Sequence, residues 1–205
     1  KSTRCPWFGI PTCNKFIIIF PDDLGIQKRD TVIVIFFFDG YFKRCQGLFN
    51  NITTELTITS IEKHWNAITQ HCKISKKEFL NLINFLFDTT VFSFNNVIYK
   101  QTLGMPMGSP VSPILAQYVM DDLLESCLNQ LPFEIPFLKK YVDDIILTIP
   151  QGSTQTLLQV FNSYHPRLQF TIEEEDDNHS VPFLDTKVIR KDDNKLITKF
   201  LKKRQ

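Results

Sequence analysis

Nothing in this chain is present in the excess that announces a specialised class. Its five cysteines, Cys5, Cys13, Cys45, Cys72 and Cys127, are odd in number and include no Cys-x-x-Cys pair and no histidine at zinc spacing. That pattern argues against a disulfide framework or a zinc site and fits a reducing compartment. Long apolar runs are lacking too: residues 16–20 and 32–38 are far too short to span a bilayer. No signal-peptide pattern opens the chain, so the expectation is an intracellular protein, nuclear or cytoplasmic, with no membrane partner. Charge of one sign is missing as well. The 23 basic and 22 acidic residues leave a net charge of +1, so no global basic excess points to nucleic acid. Internal repeats, low-complexity tracts and Gly/Ser linkers are absent. The first residue is Lys1 rather than Met, which reads as a piece of something longer.

What is present is an ordinary apolar fraction, 43%, with an aromatic bias carried by 19 Phe. A chain of 205 residues with that content can bury a sizeable core, which argues against disorder over most of its length. Residues 32–38 form a continuous apolar run, the pattern of a strand buried on both faces, and end in Asp39-Gly40. Ile58, Ile61, Trp65 and Ile68 keep helical spacing. Ser75-Lys76-Lys77-Glu78 is a capping box opening a helix whose apolar face is Phe79, Leu82, Ile83, Leu86 and Phe87. Residues 92–100 predict a β-hairpin turning at Asn95-Asn96. After the Gly/Pro/Ser loop from Gly104 to Pro110, Ser112-Pro113 predicts an N-cap and first helical residue for a helix reaching Leu128. Strands are expected at 137–142, 145–149 and 168–172, a helix at 153–164, and a hairpin over 182–200 turning at Asp192-Asp193-Asn194. Helices and mostly antiparallel strands in this order predict an α+β fold, with the helices packed on one face of an antiparallel sheet.

Asp143-Asp144 is the sharpest local feature. Two adjacent carboxylates between two apolar strands sit at a hairpin tip, where their repulsion calls for a divalent cation. Hard oxygen ligands suit Mg²⁺, which binds one or two carboxylates plus substrate phosphates. Two such ions supply most of what phosphoryl transfer requires. The loop from Gly104 to Pro113 adds glycines that admit close backbone approach and prolines that stiffen it ahead of a helix N-terminus. A Tyr-Val-Asp-Asp about thirty residues after such a loop makes coincidence a poor explanation for either feature.

Lys100-Gln101-x-x-Gly104-x-x-Met107-Gly108-Ser109-Pro110-x-Ser112-Pro113, followed by Tyr141-Val142-Asp143-Asp144, resembles the reverse transcriptases of Penelope-like retroelements. The resemblance continues through His165-Pro166-x-Leu168-x-Phe170-Thr171-x-Glu173-x-Glu175 and Pro182-Phe183-Leu184-Asp185, and upstream at Lys63-His64-Trp65 and Phe92-x-Phe94-Asn95. It implies an RNA-directed DNA polymerase palm with two Mg²⁺ ions, acting on an RNA template, a DNA primer and dNTP. Asp143 and a carboxylate from an earlier strand would hold the metals, with Asp144 supporting the turn or binding more weakly. Gly108, Ser109, Gln101 and Phe49 would lie by the nucleotide and template, Phe49 as the aromatic that screens out a ribose 2′-hydroxyl. Phe183 and Leu184 would open a primer-grip-like hairpin at 181–201, with Lys187, Arg190 and Lys191 as phosphate contacts. The acidic run 173–177 is expected to face away from that basic hairpin.

The match departs from the family at its first carboxylate. Leu48-Phe49-Asn50-Asn51-Ile52 fits, but a gapless match puts Arg44 at the aspartate position. Asp39 has the right strand-end setting and lies five residues early. Either five residues are inserted, making Asp39 the third metal ligand, or the motif is lost, since Arg44 cannot bind Mg²⁺. Residues 1–47 therefore read as a divergent remnant of the fingers and first palm strand, and 48–205 as the palm, with partial fingers and no thumb. The alternative to an active polymerase is a catalytically inert fragment that retains weak nucleic-acid binding.

Overall fold

The computed structural model describes residues 31–38, 45–106, 108–192 and 195–201. Asp39, Gly40, Arg44, Met107, and the Asp193-Asn194 part of the expected turn lie outside these. The first strand, β1 (Thr31–Phe38), is a run of β-branched and aromatic residues that favours a pleated, buried conformation. It lies in a four-stranded sheet with β4 (Phe137–Tyr141), β5 (Asp144–Pro150) and β6 (Phe170–Glu174), in the order β4-β5-β1-β6. Every pairing is antiparallel.

Alternation along β1 and β5 sorts side chains to two faces. Val34, Ile145, Leu147 and Ile149 join a helical core. The helices are α1 (Cys45–Asn51), α2 (Thr54–Lys63), α3 (Trp65–Ile68), α4 (Lys76–Asp88), α5 (Ser112–Leu128) and α6 (Thr154–Ser163). Leu48, Ile61, Ile83, Val119, Leu123 and Phe161 supply that core from α1, α2, α4, α5 and α6. On the opposite face Ile33, Ile35, Phe137 and Ile146 meet Val181, Phe183 and Val188. These last belong to a separate antiparallel sheet of β7 (Ser180–Phe183), β8 (Thr186–Arg190) and β9 (Leu196–Phe200). The expectation of a strand buried on both faces holds for Ile33, Val34 and Ile35 of β1. Ile33, Val34 and Ile35 are each at most 1% exposed, and each such burial contributes about 1.5–3 kcal/mol.

Local chemistry explains most boundaries. Ser75 Oγ accepts from Glu78 N, and Glu78 Oε2 accepts from Ser75 N at 2.9 Å, so the predicted capping box starts α4. The hairpin of β2 (Val91–Phe94) and β3 (Val97–Lys100) turns at Asn95-Asn96, both at positive φ, the conformation asparagine tolerates best among ordinary residues. Three expectations are corrected. Ser112 does not cap α5: its hydroxyl donates to the Pro106 carbonyl at 2.6 Å, which ties the preceding loop to the helix start. The strand expected at 168–172 begins at Phe170, because Leu168 N donates to His165 O in a turn. The hairpin expected over 182–200 is three strands, since β7 begins at Ser180 and turns into β8 at Leu184-Asp185.

Candidate active site

β4 and β5 form the hairpin that carries the paired carboxylates. Tyr141 pairs with Asp144, leaving Val142-Asp143 as a two-residue turn. Such turns need positive φ to match strand twist, and Val142 adopts φ +55°. A β-branched residue in the left-handed region costs on the order of 1–3 kcal/mol, and strain of this kind persists where the surroundings over-determine it. Leu184 has the same φ of +55° in the turn between β7 and β8, also just before an aspartate. In both turns an aliphatic residue occupies a position that glycine or asparagine would fill without strain.

Asp143 and Asp144 are 1% and 4% exposed. Burying two adjacent carboxylates is costly unless positive charge compensates them. Their hard oxygen donors suit Mg²⁺, which takes one or two carboxylates and completes its shell with water and substrate phosphate. Among the described residues no third His, Cys, Asp or Glu joins them to form a metal-holding group of three. The expected third ligand, Asp39, and its rival Arg44 lie outside the described residues. The strand leading to Asp39 is described, however. β1 runs antiparallel to β5 from Thr31↔Pro150 to Phe36↔Ile145, so its C-terminal end lies at the carboxylate end of the hairpin.

An ion pair ties helix α5 to this hairpin. Lys140 Nζ donates to Asp121 Oδ1, whose carboxylate also accepts from Gln117 Nε2 at 3.0 and 2.9 Å. The adjacent Asp122 serves a different contact. Its Oδ1 accepts from Lys63 Nζ at 2.9 Å and lies 2.8 Å from His64 Nε2. Burial pushes the Asp122 carboxyl upward, but hydrogen bonds from Ser60, Lys63 and His64 outweigh it and hold it below the usual carboxylate range. Sequence reading singled out Lys63-His64-Trp65 without a partner for it. No local pattern marks Asp122 as that partner, since 58 residues separate it from His64.

The loop at 101–112 is built onto α1. Gly104 has φ +79°, and a Cβ there would meet Asn50 Cα at 2.7 Å and Phe49 O at 2.8 Å. Met105 is fully buried and its N–H donates to Phe49 O at 2.7 Å. The loop therefore clasps the helix bearing Phe49, whose ring is partly buried against the core. Gln101, expected near nucleotide, directs its amide inward, donating to the carbonyls of Leu103 and Met105, each at 2.8 Å. Gly108 has φ +80° with open space around it. Ser109 Oγ accepts from Val111 N at 3.3 Å.

The small sheet corrects the expected charge pattern. The acidic run does not face away from the basic hairpin. Lys187 Nζ lies 3.6 Å from Asp176 Oδ2, and the Arg190 guanidinium forms a two-point ion pair with Glu175. The run reaches β8 because the turn at 176–180 folds it back: Asp176 Oδ1 accepts from Asn178 N, Ser180 N and the Ser180 hydroxyl. The Phe183 ring, expected at the primer, is 1% exposed and belongs to the second core, so it anchors the turn and leaves Leu184 beside it. Lys191 is exposed.

No described helix is long and apolar enough to cross a membrane, and no curated protein matches the chain. Solved structures do. Apo telomerase from Candida tropicalis, truncated from the C-terminal domain, superposes with a TM-score of 0.61 at 12% identity, over 85% of this chain and 36% of that one. Telomerase from Candida albicans, in complex with a TWJ fragment of telomeric RNA, gives 0.59 at 13% identity, over 82% and 31%. A second structure of apo telomerase from C. tropicalis gives 0.62 at 12% identity, over 84% and 32%. The chain thus shares the fold of these proteins and spans about a third of their length. The family model of reverse transcriptase (RNA-dependent DNA polymerase) matches residues 45–175. That stretch is well over half of the chain and contains both the loop and the paired carboxylates, and the chain belongs to the reverse transcriptase family.

Proposed function

We propose that this chain is the palm of an RNA-directed DNA polymerase of the Penelope-like retroelement kind, working on an RNA template, a DNA primer and dNTP. The observation that carries it is the strained Val142-Asp143 turn, with two buried carboxylates at the end of the sheet toward which β1 runs. Residues 1–47 belong in this reading to the fingers and first palm strand, and residues 48–205 to the palm. Asp143 and Asp144 would hold Mg²⁺ together with Asp39, the residue covalently next to the end of β1. The Mg²⁺ held there would supply a lowered pKa at the attacking primer hydroxyl and neutralisation of charge on the leaving pyrophosphate. The chain's own part is positional. The hairpin fixes the carboxylates, the Lys140–Asp121 ion pair ties α5 to it, and the Gly104 loop holds Phe49 and leaves Gly108 and Ser109 open to the nucleotide. A nuclear or cytoplasmic setting, where RNA template and dNTP meet, suits this role.

Primer extension on an RNA template with Mg²⁺ tests the reading. Slow extension that Asp143→Asn abolishes supports it, and extension indifferent to that substitution refutes it. A second reading, an inert fragment that still binds nucleic acid, is favoured by the gapless placement of Arg44 at the first carboxylate. Duplex binding without extension, unchanged on adding Mg²⁺, would select it.

A further inference from the structure

The contact between Glu175 and Arg190 has more support than a surface ion pair requires. Both side chains are largely buried, at 5% and 15% exposed. Arg190 Nε donates to Glu175 Oε2 at 3.1 Å and a terminal guanidinium nitrogen donates to Oε1, the two-point geometry that fixes orientation as well as distance. Glu175 is itself fixed: its N–H donates to Ile33 O at 3.0 Å, and its Oε1 accepts from Ile33 N at 3.4 Å. Arg190 N donates to His179 O at 2.8 Å, and its guanidinium lies 3.3 Å from His179 Nδ1. One corner therefore joins the beginning of β1, the segment after β6, and the last residue of β8.

This corner is at the end of β1 remote from the carboxylates, because β1 pairs with β5 from Thr31↔Pro150 toward Phe36↔Ile145. Between the corner and the Leu184-Asp185 turn lie only the four pairs of β7 and β8. The small sheet also packs on the four-stranded sheet through Val181, Phe183 and Val188, and the corner adds the directional contact that sets its tilt at the end away from the turn. We infer that Glu175 and Arg190 are a positioning pair: they fix the β7–β8–β9 sheet against the four-stranded sheet and so set where the Leu184-Asp185 turn meets the primer end. Arg190 acts through Glu175, which engages its guanidinium at two points, whereas the exposed Lys191 beside it is the candidate phosphate contact. The inference rests on the reverse transcriptase reading.

Charge substitutions in the full chain separate this role from direct phosphate contact. The readouts are binding of a fluorescent DNA primer on an RNA template across a salt series, and single-turnover extension of the bound primer. A phosphate contact freed of its internal carboxylate would bind better, so Glu175→Gln should then tighten binding. The positioning role predicts the reverse: Glu175→Gln and Arg190→Gln both slow extension from the bound primer by on the order of 100-fold, the scale of a displacement near 1 Å. Neither should change the slope of log affinity against log salt, whereas Lys191→Gln should lower it by about 0.7–0.9, as for one lost phosphate contact. Arg190→Lys keeps the charge but loses the fork, and should behave like Arg190→Gln. Because a broken buried pair could also unfold the chain, the paired variant Glu175→Leu with Arg190→Met restores packing without charge. It should be folded by circular dichroism and still extend slowly. Wild-type rates in that folded variant, tighter binding in Glu175→Gln, or a changed salt slope in Arg190→Gln would each overturn the inference while leaving the polymerase reading intact. A wild-type chain that does not bind the duplex at low salt would remove the polymerase reading, and this inference with it.

Discussion

Replacing Gly104 by alanine isolates how tightly the loop clasps the helix that bears Phe49. Two separable costs act there. The first is conformational, because φ is +79°, and an L-residue in the left-handed region costs about 1–2 kcal/mol. The second is steric: the new Cβ would meet Asn50 Cα at 2.7 Å, Phe49 O at 2.8 Å and Asn50 O at 2.9 Å. All three are backbone atoms, so no side-chain rotation relieves the contact. Overpacking of this kind typically costs a further 1–3 kcal/mol. Gly152 supplies the control, with φ +80° and nothing within 4 Å of its Cβ position. Gly152→Ala should therefore lose only the conformational part. For a chain of this size 1 kcal/mol shifts Tm by roughly 2–4 °C, so Gly104→Ala should melt about 2–12 °C below Gly152→Ala. Thermal melts followed by circular dichroism at matched concentration measure the difference. If the two variants melt within about 1 °C of each other, the loop does not press on α1 as described, and its claim to position Phe49 falls with it.

Two further predictions follow from the strained turn and from the buried carboxylate on α5. Val142→Gly relieves the positive φ of an exposed residue and should gain roughly 0.5–1 kcal/mol in denaturant unfolding while slowing any extension, since strain at a functional turn is relaxed at the expense of pre-organisation; a loss of stability would show that the turn is not strained. Asp122, held below the usual carboxylate range despite its burial, binds fewer protons folded than unfolded, so its stabilisation is complete above the unfolded value near 3.9 and lost as pH falls through the folded value. Asp122→Asn should therefore flatten the acid limb of a stability–pH profile, and an unchanged acid limb would remove Asp122 from the account.

Much of the fold was legible because it follows from periodicity and chemistry within a few residues. The capping box at Ser75, the Asn95-Asn96 turn and the two-faced burial of Ile33, Val34 and Ile35 in β1 each depend on local pattern, and each appears as expected. What the sequence did not reveal depends on distant partners. Ser112 has the identity of an N-cap, yet Pro106 O, six residues back, takes its hydroxyl. Arg190 and Lys187 read as basic residues on an exposed hairpin face until the turn at 176–180 folds Glu175 and Asp176 onto them. Phe183 opens a basic hairpin in sequence and belongs to the second core in space. A basic hairpin next to an acidic run is ambiguous by composition alone, because the same charges can bind a partner or each other.

The candidate site shows the same division. Asp143-Asp144 stands out because two charges interrupt an apolar hairpin, and the local pattern alone suffices to find it. Asp121-Asp122 is an equal pair of adjacent carboxylates, yet α5 sends its two members to different partners: Asp121 to Lys140 of β4, and Asp122 to the end of α2. On a helix, neighbouring side chains diverge by about 100°, so one pair can bind two elements. At the hairpin, a two-residue turn instead keeps Asp143 and Asp144 together at one end of the sheet, both buried. The helical pair fastens separate elements together, whereas the hairpin pair places both carboxylates at one end of the sheet, which is the arrangement the proposed function draws on.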